Sequence, residues 1–437
     1  MSENAASPLP VRKPPIFYGW YIVFAAFVVM TVSAGFGFYN LSVYLDAFVA
    51  ERGFSVGYTS AATAVFFISG GVSGLGIGWL IEKYDPRWTI FSGAIIAGTV
   101  LSLAGWVTEL WHLYLFYALF GIGYSACALL PCTTLVARWF ERKRSVALSF
   151  ASTGLSLGGI LLTPVSAELI ERLGLAAASP WLGAGLFFGI APIAVLLFRP
   201  SPASMGLGPD GDPPHDHTKG PVPKANGVHY DHAVRSRFFV LATMTFMASM
   251  MAQVGSIAHQ FSLVAGRTAD KDTAALAVSI MASASIAGRL LGGWALPYIS
   301  SRGFMAALLV GQACALTLYA FASTPAALLG VAALFGMTVG NLLMMQPLLV
   351  AEAFGTVSYA RIYSTSQLFT TLGVASGPAV FGLVYEAAGG YTASYLYGAG
   401  ASLLALTTLF FAGPVTGPQA AHDLMEETKE KGRDLHD

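Results

Sequence analysis

Residues 274–299 read AALAVSIMASASIAGRLLGGWALPYI, 26 positions with a single charge, Arg289. A helix rises about 1.5 Å per residue and the hydrocarbon core of a bilayer is about 30 Å thick, so roughly 20 apolar residues suffice to cross it. This stretch meets that requirement and reads as a membrane span. Working outward, eleven further runs have the same character, giving twelve: 19–46, 57–81, 89–108, 112–138, 146–170, 180–198, 238–263, 274–299, 304–323, 326–352, 362–387 and 391–412. Whole-chain composition agrees, with 55% hydrophobic residues, 11% charged and a mean hydropathy of +0.64. A water-facing domain carries about 25% charged residues. The expected fold is therefore all-α and membrane-embedded, with lipid as the main neighbour. Zero net charge gives no electrostatic case for a nucleic-acid partner. Cys127, Cys132 and Cys314 all lie in apolar runs and form no disulfide framework. Residues 1–15 are polar and proline-bearing, without the apolar core of a signal peptide, so the first run is expected to remain a span.

The longest break, 199–236, is rich in Pro, Gly, His and Asp and lacks apolar periodicity. It divides the chain into an N-terminal tail (1–18), a six-helix bundle (19–198), a flexible linker (199–236), a second six-helix bundle (237–412) and a C-terminal tail (413–437). Cationic residues fix an orientation. With tails and linker in the cytoplasm, 18 of the 23 Lys and Arg fall inside and only Arg52, Arg172, Arg267 and Lys271 outside; Arg289 lies within a span. That bias follows the positive-inside rule. The expected location is a plasma membrane, by its compact outer loops a bacterial inner membrane, with both termini cytoplasmic and a monomer as the working unit.

The two halves repeat one another. Gly78-Trp79-Leu80 near the end of the second run is echoed by Gly293-Trp294-Ala295 in the eighth, and Gly154-x3-Gly158 in the fifth by Gly373-x3-Gly377-Pro378 in the eleventh. Small residues four apart let helix backbones approach closely, and matched positions in two halves are the mark of repeat-built transporters.

The segment Gly78-Trp79-Leu80-Ile81-Glu82-Lys83-Tyr84-Asp85-Pro86-Arg87 resembles the loop motif of the major facilitator superfamily, with Asp85 where the family has glycine. The resemblance implies two six-helix bundles and a cytoplasmic latch formed by Gly78, Glu82, Lys83 and Arg87. The matching loop after the eighth run, Pro297 to Gly303, lacks the acid, so a second latch is not implied. Tyr18-Gly19-Trp20, Arg138-Trp139-Phe140 and Ala287-Gly288-Arg289 are similar to signatures of the monocarboxylate porters and of the related oxalate/formate exchangers. That narrower resemblance implies a substrate-binding arginine at Arg289. Two of its features are missing here. The aspartate one turn before the arginine is Ser285, and the first-helix lysine is Asn40.

Residue chemistry supports the same site. Arg289 lies about 4–5 Å from the middle of its run at 1.5 Å per residue. An arginine keeps its proton, so its charge is costly at that depth unless it meets water or an anion, and its fork matches a carboxylate. The alternative is a structural pairing with carbonyls or an acid. A single buried cation favours a monoanion over a small dianion. His259, in the seventh run, could assist the carboxylate or carry a proton, or could simply pack. Asp46 is the other proton-carrier candidate, or an interfacial helix-end residue. Asn40, Tyr124, Asn341 and Gln367 are the polar residues that could complete a binding site, as could Gln346, or they could glue helices together. His215-x-His217 and His229-x2-His232 lack a supporting shell and read as solvated linker, so no metal or other cofactor is expected. No GxxxxGK[ST] loop is present, which leaves a gradient as the driving force. The sequence thus points to a non-enzymatic secondary carrier of small organic carboxylates, by proton symport or anion exchange. The competing readings are an efflux pump for drugs or other organic compounds and, for want of a metal cluster or nucleophile–base pair in the spans, less readily a membrane enzyme.

Overall fold

A computed structural model describes residues 16–212 and 227–413. They form α1 (Gly19–Ser33), a π-helical turn (Ala34–Tyr39), α2 (Leu41–Arg52), α3 (Val56–Lys83), α4 (Pro86–Ser102), α5 (Leu110–Cys127) and α6 (Leu129–Trp139). Then come α7 (Arg144–Leu173), α8 (Leu175–Leu196), the short α9 (Tyr230–Arg235), α10 (Arg237–Thr268), α11 (Lys271–Ala295), α12 (Ser301–Phe321), α13 (Pro325–Phe354), α14 (Tyr359–Ala388) and α15 (Tyr391–Ala412). No strand occurs among the described residues. Among the described residues eleven segments are long and apolar enough to cross a membrane, α1, the π-turn and α2 forming one rod and α5 and α6 another, and α4 makes a twelfth crossing. The shortest is α4, whose 17 residues span about 25 Å and are continued by a 3-10 turn at Ala104–Trp106.

Two departures from the apolar runs have local causes. The break at Ala128 precedes Pro131, which has no N–H to continue the helix and is tolerated in the first turn of a new one. The π-turn inserts one extra residue per turn into the first crossing and so rotates α2 relative to α1. Elsewhere the helix ends obey ordinary capping. Asp85 and Thr324 cap helices with proline at the first position, while Ser55, Ser236, Asp270 and Ser300 accept from first-turn amides. Gly53 and Gly389 close α2 and α14 with φ of 69° and 70°. Arginines neutralise C-terminal carbonyls of neighbouring helices: Arg267 those at the end of α12, and Arg302 those of Leu409 and Phe410 on α15.

The sequence repeat reappears as a repeated contact. A side chain on Gly154 would overlap the Phe27 carbonyl of α1, and one on Gly158 would stand 2.7 Å from the Gly35 amide. In the second half, Gly373 and Gly377 of α14 press on the Met247 and Met251 carbonyls of α10 in the same way. Exposed Trp106, Trp111 and Trp181 ring one end of the bundle, and Trp88, Trp294 and Tyr298 the other, as aromatic residues do at membrane interfaces.

The ends of the 199–236 segment, expected to be flexible, are packed where they are described. Asp210 accepts from the backbone amides of Glu141, Arg142 and Lys143, and Arg142 pairs with Asp212 at 2.7 Å. On the other side, Val228 donates to Phe354, and Tyr230 hydrogen-bonds Thr365 while lying under Arg361. His215 and His217 lie outside the described residues. His229 precedes α9 and His232 sits on it, and no metal-ligand cluster occurs among the described residues.

Candidate functional site

The two halves touch along two helix pairs, α3 with α14 and α7 with α11, both toward the end that carries the cation-rich loops. In the first pair, a side chain on Gly78 would lie 2.6 Å from Ser364 Oγ and 2.8 Å from the Ala360 carbonyl. One turn further, Glu82 accepts a hydrogen bond from the Arg361 amide at 3.0 Å. That amide is one of the free donors of the first turn of α14, so Glu82 caps a helix in the opposite half. The other two latch residues do not cross. Lys83 lies 4.8 Å over the Trp79 ring, and Arg87 pairs with Asp85 at 2.6 Å. Only Gly78 and Glu82 of the expected latch therefore join the halves, and the backbone of Arg361 is the partner that the sequence did not advertise. A second acid, Glu352 on α13, accepts from Ser301 at 2.8 Å.

In the second pair, Ser145, Ser149, Ser152 and Ser156 lie on one face of α7 at spacings of 4, 3 and 4 and let α11 approach. Ser149 donates to the Arg289 carbonyl, and Gly293 packs on Ser149. Arg289 sits at the centre of this contact, 1% exposed. Its Nε donates to the Gly340 carbonyl of α13 at 2.9 Å, and its Nη1 to the Ser152 carbonyl and, at 3.4 Å, to Ser156 Oγ. Nη2 carries no hydrogen bond to the described residues, and no acid forms an ion pair with the guanidinium among them. The buried charge is thus held by neutral oxygens from both halves, with one edge of the fork unused.

Other expected residues separate into groups. Asn341 donates to the Gly288 and Met337 carbonyls at 2.8 and 2.9 Å, joining α13 to α11 directly behind Arg289. Asn40 is fully buried and donates to Ser166 at 2.6 Å and Tyr44 at 3.2 Å, so it fastens the first crossing to α7 rather than facing a cleft. Gln346 is likewise spent, on Ser366 and Thr370. Tyr124 is half-buried, its ring against Gly37 and Phe66. Gln367 is half-buried on the inward face of α14, and its Oε1 has no partner among the described residues.

His259 does not join Arg289. It lies about six residues past the middle of α10, and Arg289 about six past the middle of the antiparallel α11, an axial separation of roughly 19 Å. Its ring bonds the Pro378 carbonyl at 3.0 Å and packs on Phe381 and Tyr391. These contacts hold it near the cation-poor end. Asp46 is exposed on α2, also toward that end.

Tyr39, which sequence reasoning passed over, closes the π-turn and is 39% exposed. Its ring covers Gly159, where a side chain would come within 2.8 Å of it. A signal was present in the AGFGFY stretch of residues 34–39, but nothing in it specifies a π-turn.

A family model for the Major Facilitator Superfamily matches residues 26–266, more than half of the chain. The chain belongs to the Major Facilitator Superfamily. It is 27% identical over 440 residues to "Monocarboxylate transporter 13" of Bos taurus, covering 94% of each chain. Among solved structures, the E. coli Fucose:proton symporter FucP superposes with a TM-score of 0.66 at 15% identity, over 90% of this chain and 98% of that one. The proton:xylose symporter XylE gives 0.70 at 13% identity, over 93% and 99%. This superfamily member is a multi-pass membrane transporter with the two-bundle fold that its sequence implied.

Proposed function

We propose that this transporter carries small organic monocarboxylates across the plasma membrane by alternating access. The observation that carries the reading is Arg289, a buried guanidinium at the junction of the halves with neutral partners and a free Nη2. A charge in that setting is stabilised by an anion, and the fork geometry suits a carboxylate. The face of α11 above it presents Ile286, Ala282 and Val278, all partly exposed, which suits an apolar substrate body. The relationship to a monocarboxylate transporter supports the same class.

With the cation-rich end in the cytoplasm, both termini are cytoplasmic and the conformation is closed inside, held by Glu82 on α14 and by the serine face of α7 on α11. The halves would rock about the Arg289 level. The site lies between two halves of one chain, so a monomer suffices. Coupling is proton symport or anion exchange. The test is uptake of radiolabelled lactate, butyrate and benzoate into proteoliposomes by wild type and Arg289→Gln, with and without an inward proton gradient. The expected result is accumulation of at least one acid that is lost in the variant; gradient dependence then separates symport from exchange. Uptake that is unchanged in Arg289→Gln would overturn the assignment.

A further inference from the structure

We propose that Tyr230, the first residue of the linker helix α9, is a positioning residue of the closed contact between the halves: it holds the Arg361 guanidinium on its ring and so leaves Glu82 the Arg361 amide. The inference rests on the halves parting at the cation-rich end and on nothing about the substrate. Arg361 is the third residue of α14, and its amide is the donor that Glu82 of the opposite half takes at 3.0 Å. A cation is disfavoured at that position, because the first turn of a helix is its positive end. The guanidinium is also within one side-chain length of the Glu82 carboxylate, yet no acid forms an ion pair with it among the described residues. It is stacked instead over the Tyr230 ring, 4.1 Å from the centroid.

Tyr230 is itself fixed from three sides. Before it, Val228 donates to the Phe354 carbonyl at 2.9 Å, which ties the linker to the last residue of α13, and a side chain on Gly227 would lie 2.8 Å from Val357. After it, Ala233 is fully buried, and Ala233 and Val228 share an apolar cluster with Ile77 and Ile81 of α3 and Ala360 of α14, from both sides of the contact. At its tip, the Tyr230 hydroxyl meets Thr365 Oγ1 at 3.1 Å. Thr365 spends its own proton on the Arg361 carbonyl at 2.9 Å, so Tyr230 is the donor. The same linker treats the matching loop of the first half differently. There it brings an acid, Asp210, to the backbone amides of residues 141–143 just before α7. Before α14 it brings an aromatic face, takes the cation, and leaves the first-turn amide to the other half. Without the ring, the guanidinium swings to Glu82. An ion pair made through so long a side chain keeps the carboxylate while the backbones of α3 and α14 separate, whereas a bond to the amide breaks at once. Tyr230 therefore sets how tightly this contact closes.

The test uses the full-length protein in nanodiscs and reads opening by maleimide labelling. The background carries Cys314→Ser, since Cys314 is exposed while Cys127 and Cys132 are buried, and Ser364→Cys as the reporter, at the close approach to Gly78. Tyr230→Leu should label about fivefold faster than this background, the loss of one cation–π contact, and Tyr230→Phe, which keeps the ring, should stay within about twofold of it. With Arg361→Gln added, Tyr230→Leu should have no further effect, because no guanidinium is left to hold. A Tyr230 that only packs would speed labelling equally with and without Arg361. That outcome, or an unchanged rate in Tyr230→Leu, overturns the proposal. Uptake of radiolabelled benzoate and butyrate by wild type and Arg289→Gln, run in parallel, reads the substrate assignment separately, and its failure leaves the labelling result standing. If the background itself never labels, the contact does not part, and the proposal falls together with alternating access at that end.

Discussion

The two contacts that close the cation-rich end are built on different physics. Between α3 and α14, a glycine permits the approach and a carboxylate, Glu82, meets the positive end of a helix in the other half. Between α7 and α11, a row of serines permits the approach and a guanidinium, Arg289, takes carbonyls from both halves. The first contact is complete without a ligand. The second leaves a charge without a counter-charge among the described residues. On the proposed reading, one contact is a latch and the other is a latch that an anion acts on.

The largest expected effect lies at the second contact. Arg289→Gln should reduce carboxylate transport by roughly 100-fold, because hydrogen bonds to charged groups contribute about 1.5–3 kcal/mol each. Arg289→Lys keeps the charge but not the fork and should recover only part of the loss, read by uptake rate. Next come the close approaches. Gly78→Val and Gly293→Val each force side-chain atoms into Ser364 or Ser149. Overpacking of this kind costs about 1–3 kcal/mol, so the maximal rate should fall roughly tenfold while substrate binding persists, measured by comparing binding with transport. Equal losses in binding and transport at Gly78 would show that the first contact also senses the ligand, and would erase the distinction.

Much of this was legible in the sequence. Twelve apolar runs, the cation asymmetry and the paired glycines gave the bundles, because hydropathy and small-residue spacing are set by the bilayer and by backbone approach. Arg289 stood out for the same reason, as a lone charge in an apolar run. Gly78 and Glu82 carried their contact, but Lys83 and Arg87 turned to local aromatic and acidic neighbours instead. His259 and Asn40 lie away from Arg289, since a polar residue within a run does not declare which neighbour it faces. The serine row at 145, 149, 152 and 156 was readable as a helix face, whereas the Arg361 amide and the Ser152 carbonyl are main-chain groups and leave no trace in residue identity.

A smaller effect belongs to Glu82. Glu82→Gln keeps an acceptor but removes the charge at the N-terminus of α14, a loss of about 0.3–1 kcal/mol, so the inside-closed population should fall roughly two- to fivefold, seen as faster labelling of a cysteine introduced in the contact. The smallest is at the opposite end. Asp270, in the loop between α10 and α11, accepts from the Thr273 hydroxyl and from the Asp272 and Thr273 amides, which holds its carboxyl below the usual range. A carboxyl depressed in the folded state contributes stability above its unfolded pKa and loses it as pH falls through the folded one. Acidification below the normal aspartate range should therefore speed amide exchange at residues 272 and 273 and leave α14 protected.

The nearer partner of Arg289 on α7 is a peptide carbonyl, and this has an evolutionary consequence. No codon change at position 152 deletes that oxygen. A scan of all substitutions should find position 152 permissive to any residue small enough for α11 to approach, and position 289 almost invariant. A lineage carrying this scaffold can then drift at the residues around the substrate without losing the hold on its own charge.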